Sequence, residues 1–582
     1  MYGNLPWPDI CPVRQNQMFT VIFMRMRKFI FIALAGVGLI FCLGKGAAVC
    51  ADSSYTVAEH IEAKIRAADP SSGKSCLNGG VCISALTRKF YADRKFQPGW
   101  INSAGPLPAA RELLDVIRDS SREGLKPSDY FLSRLESSLD FVAANSQSRI
   151  IPVHEKYAQF DLLFSEAFFL YASHLYFGKV DHRKAYPEWV MYQRSGDLTV
   201  VLGGALASGK IRKSLNQLMP AHSGYEKLKE KLSLYRRIAE NGGWPRIPKG
   251  EKMKKGAKGN RVAVLKQRLA ASGDLDALLA KEGDVFDRNL EEAVLKFQKR
   301  HGLKSDGAVG RETLDALNVP VEKRISQIEL NMDRMRWLPD ELGGRHILVN
   351  IADFDLKVVE NHQDVMSMRI IAGKRDWRSC VLSAKMTYME VNPYWNVPQS
   401  IALKEILPAV RKDPGYLSRK NIKIIKNWEE QGKGVDPSAI DWSKMQKNFP
   451  YRFRQEPGRR NPLGRIKFIF PNACEIYLHD TPTNHLFGRQ RRDFSHGCIR
   501  VEKPLELAAH LLKDQDSWTK QKIQAEIHKG KRKVIMLAKP LDVHIFYGTA
   551  FVDNEGNLQF RNDIYQIDEV PNPQAIADGR QG

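Results

Sequence analysis

Residues 476–501 decide how this chain is read: Ile476-Tyr477-Leu478-His479-Asp480-Thr481-Pro482, then Leu486-Phe487, then Phe494-Ser495-His496-Gly497-Cys498-Ile499-Arg500-Val501. Fifteen residues lie between His479 and Ser495. A cysteine with two histidines nearby has the parts of a nucleophile and its base, because the thiolate rather than the thiol attacks. Gly497 suits a sharp backbone turn, or a substrate carbonyl brought close to amide donors. On the residues alone a second reading stands beside this one, in which His479 ends a strand and Cys498 is a small buried hydrophobe. A third makes zinc ligands of Cys474, His479, His485, His496 and Cys498. Their spacing matches neither Cys-x-x-Cys nor His-Glu-x-x-His, so no metal is expected.

The string as a whole closely resembles the active-site signature of the L,D-transpeptidases, cysteine enzymes that cross-link peptidoglycan: a histidine, about fifteen spacer residues, then Ser/Thr-His-Gly-Cys. The resemblance implies attack by Cys498 on a stem tetrapeptide between its third residue and the terminal D-alanine. A thioester forms, and the side-chain amine of another stem's third residue then attacks it to give a 3→3 cross-link. No cofactor is implied. His479 is the expected base, oriented by a backbone carbonyl or by Asp480. His496 is either a shaper of the turn or oxyanion pocket or a structural histidine. The amides of Gly497 and Cys498 are candidate oxyanion donors, and Ser495 is expected to hydrogen-bond within the turn. Arg500 suits a substrate carboxylate or a structural acid. Asn392-Pro393-Tyr394-Trp395-Asn396-Val397-Pro398 resembles a substrate-groove element of the family, making Trp395 and Tyr477 proposed stem-peptide contacts or plain core aromatics. One departure is local: relatives commonly carry Thr-Pro soon after a Gly-Lys element, whereas Gly373-Lys374 is followed by Arg378-Ser379-Cys380. The same fold and thioester would serve an L,D-carboxypeptidase if water were the acceptor, or a lipoprotein-anchoring transpeptidase if a protein lysine were. A non-catalytic wall-binding scaffold is the more distant alternative.

At 582 residues the chain is too long for one core. A net charge of +23 is spread along its length, with no DNA- or RNA-binding signature, and suits an anionic wall polymer or membrane surface; no nucleic-acid partner is expected. Arg25, Arg27 and Lys28 precede an apolar run from Phe29 to Leu43, and Val49-Cys50-Ala51 ends in small residues. That is the order of a secretory signal, shorter than the roughly twenty residues a membrane span needs. Export to the periplasm is therefore expected, with transient membrane contact through the signal or an anchor if it stays uncleaved. In an oxidising compartment Cys76 and Cys82 are positioned for a local disulfide; Cys380 and Cys474 read as buried singles, and Cys498 must stay reduced.

The resulting architecture is multidomain α+β. Residues 1–51 form the N-terminal extension and signal, and 52–245 a helical scaffold domain. Within the latter, Tyr91, Phe96, Pro98-Gly99-Trp100 and Gly178-Lys179-Val180-Asp181 resemble the scaffold of large Gram-negative L,D-transpeptidases. Pro245 to Gly259 reads as a linker. Residues 246–320 resemble a small three-helix peptidoglycan-binding domain through Lys266-Gln267-Arg268-Leu269, Phe297-Gln298, Asp306-Gly307-Ala308-Val309-Gly310 and Leu314-Asp315-Ala316-Leu317. Glycan strands, besides stem peptides, are the partners this implies. Strand-like stretches run over Ile347–Ile351, Leu356–Val359, Met366–Ile371, Met386–Val391, Ile466–Phe470 and Ile476–Leu478, and for residues 321–570 the resemblance implies the mainly β catalytic domain. Its charged insert at about 399–461 falls where large members carry a capping subdomain. Residues 571–582 lack apolar pattern and read as a disordered tail.

Overall fold

A computed structural model describes residues 56–68, 76–77, 81–145, 151–187, 189–190, 194–281, 283–426, 434–445 and 449–569. The signal segment and the C-terminal tail read from the sequence lie outside the described residues. No described helix is long and apolar enough to cross a membrane.

The first part is helical. α1 (Pro108–Arg118) and α2 (Ile151–Phe177) bury Leu113, Ile117, Phe160, Phe164 and Ala167 against one another, as the 3.6-residue spacing predicts. The Pro-Gly-Trp element is held by a fully buried carboxylate: Asp161 accepts the N–H groups of Gly99 and Trp100, each at 2.7 Å, and the Tyr91 phenol. Cys82 is disulfide-bonded, and Cys76 stands opposite it in backbone register.

α3 (Ser223–Glu240) leads into the three-helix module of α4 (Asn260–Ala271), α5 (Arg288–Arg300) and α6 (Arg311–Leu317). The stretch before α4 is not a free linker. Ile247 is buried in the module's core and hydrogen-bonded both ways to Asn318, and Met253 bridges to Val309. The apolar Ile247 and Met253 outweigh the Gly, Pro and Lys that surround them. Gln298, fully buried, donates to Asp306, Ala308 and Thr313 and accepts from the Gly307 amide, so these motif residues are spent on one another. α7 (Val321–Met335) packs its Ile328 and Met332 against Leu228 and Leu232 of α3. At its end the buried Arg336 donates to Asp333, the Glu123 carbonyl and Tyr225, while Asp333 accepts from the amides of Lys179 and Val180. The Gly-Lys-Val-Asp element thus fastens the helical part to the connector.

The last part is built on β1 (Arg345–Asn350), β2 (Asp355–Glu360), β3 (Gln363–Gly373) and β4 (Leu382–Val391). The insert follows, containing β5 (Trp395–Asn396), β6 (Ile422–Ile425) and β7 (Arg452–Gln455). β8 (Ile466–Ile469), β9 (Leu478–His479), β10 (Asp493–Ser495), β11 (Ile499–Val501) and β12 (Lys533–Phe546) complete the sheet, and β13 (Ala550–Val552) and β14 (Leu558–Phe560) make a hairpin. The large sheet runs β10-β3-β11-β9-β8-β4-β12-β1-β2, and β2 also pairs with β3, so it closes on itself and leaves few open edges. β12 runs parallel to β1, aligning Val543 with Ile347 and Ile545 with Val349, all fully buried. The insert is a subdomain with its own apolar core around Val410, Ile424 and Phe453, and with a three-stranded sheet, β6-β7-β5, beside its helices.

Cys380 and Cys474 are bonded to each other, which corrects their reading as buried singles: 94 residues part them in sequence, while their Cα atoms lie 6.4 Å apart. Sequence spacing carried no sign of that proximity, because β4 and β8 are sheet neighbours only in the fold. Replacing both cysteines with alanine is expected to cost about 2–4 kcal/mol, the usual effect of opening so long a loop. Denaturant titration of the oxidised parent against the double variant checks it.

Candidate active site

β9 and β11 are parallel neighbours, with Leu478 opposite Ile499 and His479 opposite Arg500. Leu478 and Ile499 point into the core, both fully buried. Strand alternation then puts Tyr477, His479, Cys498 and Arg500 together on the other face. On the far side of β9, β8 sets Lys467 opposite His479, and β4 sets Glu390 opposite Lys467.

The turn before Cys498 is held from both sides. Ser495 Oγ donates to the Cys498 carbonyl at 2.5 Å and accepts the Gly497 N–H at 3.2 Å. Gly497 has φ +112°, a conformation closed to residues with a Cβ. Ser379 Oγ donates to the Gly497 carbonyl at 2.7 Å and accepts the Gly373 N–H at 2.9 Å; Tyr565 donates to the Gly373 carbonyl and accepts the Ser379 N–H. The loop that departs from the family pattern is therefore the floor of the turn. Gly373 is required there because a Cβ would sit 2.0 Å from the Trp377 carbonyl oxygen.

Cys498 is a free, half-buried thiol. Burial pushes its pKa up. Hydrogen bonds from the Tyr477 backbone and phenol, and the charges of Lys467 and Arg500, pull in the opposite direction. His479 is 4% exposed, and its Nδ1 lies 2.6 Å from the Asp480 carbonyl oxygen. Nδ1–H is the donor there, which leaves Nε2 as acceptor. The orienting group is thus the backbone. The Asp480 carboxylate turns away to accept the amides of Arg465 and Thr481. Burial, reinforced by Arg500 and Lys467, lowers the His479 pKa to about 3, so the imidazole is neutral at working pH. Among the described residues no hydrogen bond joins Cys498 to His479; they are diagonal neighbours, a step of roughly 7 Å on a sheet.

Arg500 donates to Thr483 Oγ1 at 3.2 Å, its Nε has no partner, and no carboxylate pairs with it among the described residues. His496 faces the insert: its Nε2 is 2.6 Å from Glu405, and its ring meets Trp377 edge-on at 5.1 Å. Trp395 lies on β5 and packs against the core of the insert. Of the sequence-predicted residues, Tyr477, His479, Ser495, His496, Gly497, Cys498 and Arg500 are brought together by the β9–β11 pair and its turn. Trp395 belongs to the neighbouring subdomain. Ser379 and Glu405 carry no sign in the sequence, being single polar residues on elements distant from the string, and Lys467 reaches the site only through the pairing of β8 with β9. The only local sign was Lys467, one charge within the otherwise apolar Ile466–Phe470.

Three domain families match the chain. Residues 85–232 match the scaffold domain, residues 258–317 the "Putative peptidoglycan binding domain", and residues 344–535 the L,D-transpeptidase catalytic domain, YkuD. A protein of Haemophilus influenzae named "Putative L,D-transpeptidase" is 35% identical over 275 residues. That match covers 46% of this chain and 55% of the relative, so the chain spans about half the length of the curated relative it matches. Among solved structures, the L,D-transpeptidase of Xylanimonas cellulosilytica is 18% identical, covering 51% of this chain and 99% of that one at a TM-score of 0.17. The L,D-transpeptidase of Stackebrandtia nassauensis is 14% identical, covering 50% and 94% at 0.20. Neither structural likeness is close enough to carry an argument. By its domain matches, the chain carries an L,D-transpeptidase catalytic domain of the YkuD family, preceded by a scaffold domain and a peptidoglycan-binding domain.

Proposed function

We propose that this chain works in the periplasm as a cysteine L,D-transpeptidase that forms 3→3 cross-links between peptidoglycan stems. The observation that carries the reading is a free cysteine sharing one sheet face with a neutral, backbone-oriented histidine and an arginine that pairs with no acid among the described residues. In the first half-reaction the Cys498 sulfur attacks the carbonyl of the stem's third residue as its proton passes to His479 Nε2. The C–S bond forms, the C–N bond to D-alanine breaks, and His479 returns the proton to the leaving amine. In the second, the side-chain amine of another stem attacks the thioester. The C–N bond forms, the C–S bond breaks, and the amine's proton returns to sulfur by way of His479. The Gly497 amide is taken by Ser495, so the oxyanion donor assigned here is the Cys498 amide.

Arg500 takes the substrate carboxylate in this scheme. Arg500→Met is expected to raise KM by about tenfold or more and to change kcat less, because a charge-assisted contact outside the reacting bond is removed. Steady-state kinetics on a soluble tetrapeptide donor reads the split. The acceptor is tested by incubating the purified chain with peptidoglycan, digesting it and weighing the muropeptides. Dimers joined through two third-position residues support the proposal. Trimmed tripeptides alone would reassign the chain as an L,D-carboxypeptidase, and attachment to a protein lysine would make it an anchoring enzyme.

A further inference from the structure

Lys467 lies outside the signature, yet it enters the same face as Cys498. It stands opposite His479 across β8–β9, with its ammonium 3.8 Å from the centre of the Tyr477 ring. Tyr477 in turn stands beside Cys498, because Leu478 pairs with Ile499 and the Ile499 amide donates to the Tyr477 carbonyl at 3.2 Å, and its ring meets that of His479 at 5.7 Å. The acid across from Lys467 is not in contact with it: Glu390 forms its ion pair with Arg532 and reaches Lys467 only through space, and no ion pair or hydrogen bond to Lys467 occurs among the described residues. A half-buried ammonium without a carboxylate in contact is costly. Three things offset that cost here: the Glu390 carboxylate acting from across the strand, the negative face of an aromatic ring, and a charge that appears on sulfur only when the enzyme works. The charged and titratable groups facing Cys498 are accordingly Tyr477 and His479 from β9, Arg500 from β11, Lys467 from β8 and the Glu390–Arg532 pair from β4 and the turn before β12, with Glu475 acting on Tyr477 from the loop before β9.

We infer that Lys467 is a positioning residue of this centre: its ammonium holds the Tyr477 ring in place and, through the phenol, stabilises the Cys498 sulfur as it becomes anionic. The inference rests on Cys498 being the nucleophile. It assigns activation of the thiol to a lysine–tyrosine pair on neighbouring strands and leaves His479 as the proton carrier. A purely structural Lys467, covering Tyr477 with its methylene stem, would be replaceable by methionine without electrostatic consequence.

The test follows the rate of Cys498 alkylation by iodoacetamide against pH in the full chain, for the parent, Lys467→Met, Lys467→Gln and Lys467→Arg. Since only the thiolate reacts, loss of the cation is expected to slow alkylation at pH 8 by about tenfold and to move the profile upward by about one pH unit. Arginine, which keeps the charge over the ring, is expected to restore the profile most of the way. Glutamine repeats the neutralisation should the methionine variant misfold. Neutral variants whose profiles superimpose on the parent's would overturn the inference, whatever happened to turnover. Failure of the functional reading looks different: the stem adduct would map away from Cys498, while the alkylation profiles still reported on Lys467.

Discussion

Cys498→Ala is expected to abolish formation of any acyl adduct and to lower cross-linking by about four or more orders of magnitude, since a nucleophile and its base act as a unit. Binding of the stem through Arg500, as proposed, is expected to remain, so that the donor still associates but is not cleaved. The variant's stability is expected to stay close to the parent's. The thiol is half-buried, and the turn that carries it is held by backbone groups, Ser495 and Ser379, rather than by sulfur. Cys498→Ser is expected to be nearly as inactive, because a serine hydroxyl is far less acidic and His479 is too weak a base to compensate. Muropeptide yield per hour and thermal melting of the parent and both variants are the measurements. Retained turnover in the alanine variant would contradict the assignment.

His479→Gln is expected to lower kcat by about 10²–10⁴-fold, the usual contribution of a positioned proton carrier, and to flatten the acid side of the stability profile. In the unfolded chain this imidazole takes up a proton near pH 6.5, whereas folded it does so at about 3. Between those values the unfolded chain binds more protons, so stability is present above pH 6.5 and is lost as pH falls. Buried His544, lowered to about 4, and His301 act in the same direction. The parent is therefore expected to melt at lower temperature at pH 4.5 than at pH 7, and His479→Gln to show a smaller difference. Equal differences in the two proteins would show that His479 is not held neutral by burial.

The depth to which the sequence could be read followed the range of the interactions involved. The helical spacing of Phe160, Phe164 and Ala167 and the strands at Ile347–Ile351 and Leu356–Val359 are local patterns, and each folds as its periodicity predicts. The candidate string was readable as one stretch because His479 ends β9 and Cys498 directly precedes β11, the parallel neighbour of β9. What lies opposite them was not. Lys467 and Glu390 reach the site by strand pairing, Ser379 by a hydrogen bond across 118 residues, and Glu405 from the inserted subdomain. Pairing partners are fixed by tertiary register, which leaves no mark on spacing. The Cys380–Cys474 bond was hidden in the same way. The residues before α4 differ from a free linker for another reason: their composition marks a loop, and a loop they form, but Ile247 and Met253 suffice to pin it to a core.

The central claim is that Cys498 carries the acyl group. Mass spectrometry of the protein quenched in acid during turnover on a tetrapeptide stem, followed by proteolysis, tests it most directly. The account predicts an adduct equal to the stem less D-alanine on the peptide containing Cys498, lost on treatment with hydroxylamine as a thioester would be. An adduct on another residue, or cross-links accumulating while Cys498 stays unmodified, would contradict it.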